Sequence, residues 1–156
     1  MKTLFLILTA SIAIGTASLS FADGYDRSDF NYRSYKPSTS IGFYTNQSCD
    51  FINIDHVVSL KDAYDSGASS WSDLKKESFA NDTSNHVPSC GRVNSSKGSE
   101  GPSDFLRRSR DGRGLEYEIV RFCEYVQKYY AVKVRYGLSF RNNEPRPFQS
   151  CGITTI

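Results

Sequence analysis

The segment Asn53 to Leu60, NIDHVVSL, sets an aspartate beside a histidine inside a β-branched run, in a chain with only two histidines. A neutral imidazole titrates near physiological pH, so His56 can take a proton from water as a general base. The Asp55 carboxylate offers a hard anionic oxygen of the kind Mg²⁺ prefers. Further on stand Asn85, Asn94 and Lys97; the last two lie three apart in RVNSSKG and so share one face of a helical turn. Taken singly, each residue has an ordinary role. A buried Asp-His pair is a satisfied polar spot, Asn85 a turn residue, Asn94 an N-cap and Lys97 a solvated charge. His86 reads as a ribbon or surface residue, with zinc ligation as its alternative.

These side chains need elements to hold them. CDFINIDHVV, residues 49–58, has the aromatic and β-branched content of a strand. Residues 60–66 and 72–80 read as two short helices, the second capped by Ser72. NHVPSC, residues 85–90, reads as a second strand that Pro88 confines to an edge or an irregular ribbon. GRVNSSKGSEGP follows as a Gly- and Ser-bracketed helical turn, and Pro102 can open a helix through Phe105 and Leu106. The clearest helix spans about 115–136, with Leu115, Ile119, Phe122, Val126 and Tyr130 at helical spacing and Gly137 as its stop. Residues 23–48 show no clear periodicity and read as an arm or loops. With His56 set opposite Asn85 in an antiparallel ribbon, Cys49 and Cys90 fall at the same end, within about one position of being opposite. That placement pairs Cys49 with Cys90 and leaves Cys123 for Cys151. The whole reads as one disulfide-stapled α+β domain.

The first residues read as an export signal: Lys2, an apolar run from Leu4 to Ile14 too short to span a bilayer, and Ser20-Phe21-Ala22 before a cleavage point. The expected order is a signal peptide over 1–22, an N-terminal arm over 23–42 and the functional domain over 43–156, secreted or periplasmic and free of membrane after cleavage. Export agrees with four cysteines forming two disulfides. No two of them have Cys-x-x-Cys spacing, which ranks a structural zinc site well below. Net charge is only +2, but residues 23–87 carry net −4 and residues 88–113 net +3. A polyanion meeting the basic part fits that asymmetry, and so does an ordinary solvated surface. The sequons at Asn46, Asn81 and Asn94 read as chance matches, since a glycan on Asn94 would cover the proposed site.

A ribbon and then a helix, with Asp-His on one arm, Asn on the other and Asn-x-x-Lys on the helix, resembles the ββα-metal site of HNH (His-Me finger) nucleases. The step from Asn85 to Asn94 and Lys97 is similar to that in the HNH domain of CRISPR effector nucleases. INIDHVVSLKDAYDSGASSW, SFANDTSNHV and RVNSSKGSEGPSDFL follow the order found in exported HNH proteins similar to the C-terminal nuclease domain of GmrSD-type restriction enzymes. CEYVQKYYAVKVRYGLSF resembles the helix that follows in that family, and the likeness covers roughly residues 43–140. Ser59 stands where many relatives have proline, which should loosen the turn after the site.

The resemblance implies a ββα-metal core with an inserted helical segment and a long C-terminal helix. It implies a metal-dependent endonuclease acting on DNA with little sequence preference, RNA being the other substrate. His56 would be the general base and Asn85 would orient its imidazole. Asp55 and Asn94 would hold one divalent cation, Mg²⁺ first with Mn²⁺ and Zn²⁺ as the other candidates. Lys97 and Arg92 would contact phosphate, positioning substrate without reading sequence. The rival reading is a secreted nucleic-acid-binding module of the same fold that has lost catalysis. A structural or adhesive protein with an incidental Asp-His pair is a further rival.

Overall fold

A computed structural model describes residues 24–105 and 119–156. The expected signal peptide, Leu106 and the start of the expected long helix at 115–118 lie outside the described residues. Strands β1 (Ile52–His56) and β2 (His86–Cys90) form a two-stranded antiparallel ribbon. Between them run helices α1 (Leu60–Asp65) and α2 (Asp73–Ala80), and α3 (Gly91–Lys97) follows β2 directly. Helices α4 (Phe122–Tyr136) and α5 (Pro145–Ser150) complete the described fold. This is a mixed helical fold on one small sheet, stapled by two disulfides.

Local sequence explains most of these ends. Ser72 caps α2 by accepting from the Lys75 amide, and Gly137, in the left-handed region, ends α4. Ser59 caps α1, its hydroxyl accepting from the Asp62 amide at 3.0 Å. The turn after β1 is therefore tied by the serine rather than loosened by the missing proline. Pro88 sits in β2 without conflict because a ribbon of two strands has only edges.

Three expectations are corrected. Residues 102–105 form turns, so within the described residues no helix opens at Pro102. Helix α4 begins at Phe122, and its buried face is Tyr125, Val126, Tyr129, Val132 and Lys133, leaving Phe122 and Tyr130 half-buried. The face rotated because Lys133 is drawn inward. Its ammonium donates to Asp62 Oδ1 at 2.7 Å, to Ser66 Oγ and to the Ser139 carbonyl at 3.0 Å, joining α4 to α1. The ribbon register is the third. His56 faces His86, and Asn85 sits one residue before the ladder in a 3-10 turn, Thr83–Asn85.

The segment read as an arm packs into the body. Asp26 caps a 3-10 turn, Arg27–Phe30, whose Phe30 ring is fully buried and edge-on to Phe79 of α2. Asn81 then clasps the arm, accepting from the Arg33 amide at 2.9 Å and donating to the Asn31 carbonyl at 3.1 Å. These contacts hold the arm against the open end of the ribbon.

Cys49 is bonded to Cys90 and Cys123 to Cys151. The first bridge ties the loop before β1 to the start of α3, and the second ties the tail to α4. Gly42 is required beside the first, since a Cβ there would stand 2.9 Å from Cys90 Sγ. The bridges close 41 and 28 residues, so replacing either pair with serine should cost about 3–4 kcal/mol of folding stability. The urea midpoint of each double variant, compared with the oxidised parent, measures this.

Candidate active site

Alternation along β1 sends Asn53 and Asp55 to one face of the ribbon and His56 to the other. Helix α3 lies against the first face. Its Asn94 amide donates to Asn53 Oδ1 at 3.0 Å, and one turn on the Lys97 ammonium stands 3.1 Å from Asp55 Oδ2. Lys97 also donates to the His56 carbonyl at 2.8 Å and is fully buried. From the loop before β1, the buried Tyr44 hydroxyl donates to Asp55 Oδ2 at 2.5 Å. Burial pushes the Asp55 carboxyl up, and the Lys97 charge and the Tyr44 hydrogen bond pull it back.

On the opposite face the two histidines stand side by side, ring centroids 4.6 Å apart and nearly perpendicular. Both Nε2 atoms lie against one oxygen, the Ala80 carbonyl, at 2.8 Å for His56 and 2.9 Å for His86. A carbonyl only accepts, so each Nε2 carries the proton when the ring is neutral. His56 therefore has its lone pair on Nδ1, the nitrogen able to act as a base. His86 Nδ1 correspondingly accepts from the Tyr35 hydroxyl at 3.1 Å. Tyr32 stands edge-on to both rings, 4.6 Å from His56 and 5.6 Å from His86. Burial drives the His56 pKa down to about 3, against the Ala80 hydrogen bond, with neighbouring positive charges adding to the effect.

The sequence-derived roles change in three places. Asn85 does not touch the imidazole. Its side chain accepts from the Val58 amide at 2.8 Å and donates to the Val58 carbonyl at 3.0 Å, locking the chain just beyond His56. Ala80, which no sequence signal marked, orients the ring instead. Lys97 is no surface cation; its length carries the ammonium across the ribbon to the one buried carboxylate there. Asn94 meets Asn53 rather than Asp55, because successive turns of α3 match alternate residues of β1. Arg92 is exposed on the first turn of α3. His86 is a ribbon residue, as one of its readings had it.

Among the described residues no three His, Cys, Asp or Glu side chains form a cluster able to hold a metal. One carboxylate, Asp55, lies beside the amide side chains of Asn53 and Asn94. These hard oxygens fit in type an ion such as Mg²⁺, which takes few protein ligands and keeps its waters. As the chain stands, the charge of Asp55 is balanced by Lys97 rather than left for a cation.

Ribbon, helix and the Asp-His step at the ribbon's end form a polar, largely closed site in a small α+β domain. The chain belongs to the family described as GmrSD restriction endonucleases, C-terminal domain, whose model matches residues 21–145. It is similar to an uncharacterized secreted protein of Arthroderma benhamiae, 35% identical over 95 residues, 60% of this chain and 42% of that relative. The match thus spans less than half of the relative's length. No solved structure matches the chain.

Removing one partner of a buried ion pair strands the other charge. Lys97→Met should therefore cost about 3–5 kcal/mol of folding stability, read from denaturant unfolding. Acid provides a second check. Burial holds the folded pKa of His56 below its ordinary value of about 6.5, so the unfolded chain takes the proton first. Its contribution is complete above about 6.5 and is lost as pH falls toward 3. The urea midpoint should fall between about pH 7 and pH 5.5, a window above the ordinary carboxylate range, and fall less in His56→Asn.

Proposed function

We propose that this chain is an exported HNH-type endonuclease that hydrolyses DNA phosphodiester bonds with little sequence preference. The ββα-metal core would be β1, β2 and α3, within a domain over 43–156 preceded by the arm and a signal peptide ending at Ala22. The Asp-His step at the end of the ribbon, in a chain of an endonuclease family, carries this reading. The secreted relative and the two disulfides support export into an oxidising compartment. Among the described residues no helix is long and apolar enough to cross a membrane.

His56 Nδ1 takes a proton from water as its oxygen attacks phosphorus, the bond to the 3′ oxygen breaks with a solvent water giving that oxygen a proton, and a 5′-phosphate and a 3′-hydroxyl remain. Asn85 keeps the strand end in place through Val58, and the Ala80 carbonyl keeps Nδ1 free to accept. Asp55 and Asn94 would hold one divalent ion, Mg²⁺ suiting the donors best, once Lys97 gives up its contact with Asp55. When bound, such an ion supplies Lewis-acid stabilisation of the phosphate charge. No base-reading element was recognised in the sequence, so affinity rests on the backbone and should weaken with salt.

A second reading, a nucleic-acid-binding module without catalysis, is favoured by one observation: Asp55 and His56 are each only 5% exposed. Incubation with supercoiled plasmid separates the two. The enzyme should nick it with Mg²⁺, Mn²⁺ or Zn²⁺ and stop in EDTA. His56→Ala should remain folded and lose roughly 10²–10⁴ in rate. Plasmid left intact with all three metals retires the catalytic reading.

A further inference from the structure

Lys97, the cation expected at the phosphate, is buried in an ion pair. On α3, Arg92 lies five residues back, which turns it about 140° around the helix from Lys97. The side of His56 that faces the arm has its own cation. Arg27 opens the capped 3-10 turn Arg27–Phe30, and the buried Phe30 and the Asn81 clasp hold that turn in place. The Arg27 guanidinium carbon stands 6.0 Å from the centroid of the Tyr32 ring, the ring that lies edge-on to His56. Its charge bears on His56 more strongly than that of Lys97 does. Arg27 is exposed and donates to the Tyr25 hydroxyl, but among the described residues no carboxylate pairs with it, whereas Arg33 on the same arm is taken by Glu77.

A guanidinium near an aromatic ring, exposed to solvent and without a carboxylate partner, matches the paired oxygens of a phosphate diester. We propose that Arg27 binds the sugar-phosphate backbone of a nucleic-acid strand, seating a phosphodiester before His56. Tyr35 continues this surface: it is 47% exposed, and its hydroxyl rests on His86. Its open ring face gives an adjoining base a place to stack, as in single-strand binding tracks. The site thus takes its phosphate grip from the N-terminal arm and not from α3. This inference rests on the nuclease reading for its orientation toward His56, but its binding test does not depend on catalysis.

Fluorescence anisotropy with a labelled single-stranded oligonucleotide, in EDTA, measures binding without cutting. Arg27→Ala should weaken it by about tenfold or more and lower the slope of log K against log salt by about 0.7, the loss of one phosphate contact. Arg27→Gln, which keeps the side-chain length, should show the same loss, with near-ultraviolet circular dichroism confirming the fold. Arg33→Ala, whose charge is spent on Glu77, should bind within about twofold of the parent. Tyr35→Ala should weaken binding without changing the salt slope. Arg27 variants that bind like the parent with unchanged slope overturn the proposal, as does a parent that fails to bind at low salt. His56→Ala should bind normally and not cut. If it cuts, the catalytic assignment fails while the anisotropy result for Arg27 still stands or falls alone.

Discussion

The buried pair of Lys97 and Asp55 organises everything around it. Both charges lie out of water, a placement tolerated only when each is met by its opposite and by further hydrogen bonds. Tyr44 supplies one such bond to the carboxylate, and the His56 carbonyl receives another from the ammonium. Through them the loop before β1, the end of β1 and the last turn of α3 become one rigid unit. The Cys49–Cys90 bridge closes the same triangle from outside, joining the Tyr44 loop to the residue that starts α3.

The second face is governed by a helix end. Ala80 closes α2, and the last carbonyls of a helix lack partners within it. Here one of them accepts from two imidazoles that the ribbon register has set opposite each other. The same contact that satisfies the helix end fixes both tautomers and aims the free nitrogen of His56. Helix capping and the choice of both tautomers are thus one interaction. The cost is enclosure, since the burial that orders the ring also holds it far from its ordinary pKa.

Much of the fold was legible in the residues. Ser72 and Gly137 bracket their helices as their chemistry requires, and the ribbon-to-helix order follows from 49–58, 85–90 and 91–97. Near-opposition across the ribbon pairs Cys49 with Cys90, and the bridge forms although Ile52, not Cys49, stands opposite Cys90 in the ladder. The shift in register has a cause: Asn85 looks like the first residue of a strand, but its side chain binds both backbone groups of Val58 and holds it in the turn before the ladder. The burial of Lys97 is invisible in sequence because spacing gives the face of a helix but not what covers that face. Nothing in the sequence marks Arg27, since an irregular arm has no period, and only the docking of its turn through Phe30 brings it near Tyr32 and His56.

By itself the sequence determined which chemical groups exist and which local elements carry them: an Asp-His step in a strand, an Asn-x-x-Lys turn, two pairs of cysteines. Those are properties of neighbouring residues, set by periodicity, caps and spacing. Only the tertiary structure decided who meets whom across separations of 6 to 42 residues, Tyr44 and Lys97 on Asp55, Ala80 on two histidines, Asn85 on Val58. Such choices depend on which buried polar groups find partners when water leaves, and a linear order of side chains does not contain that competition.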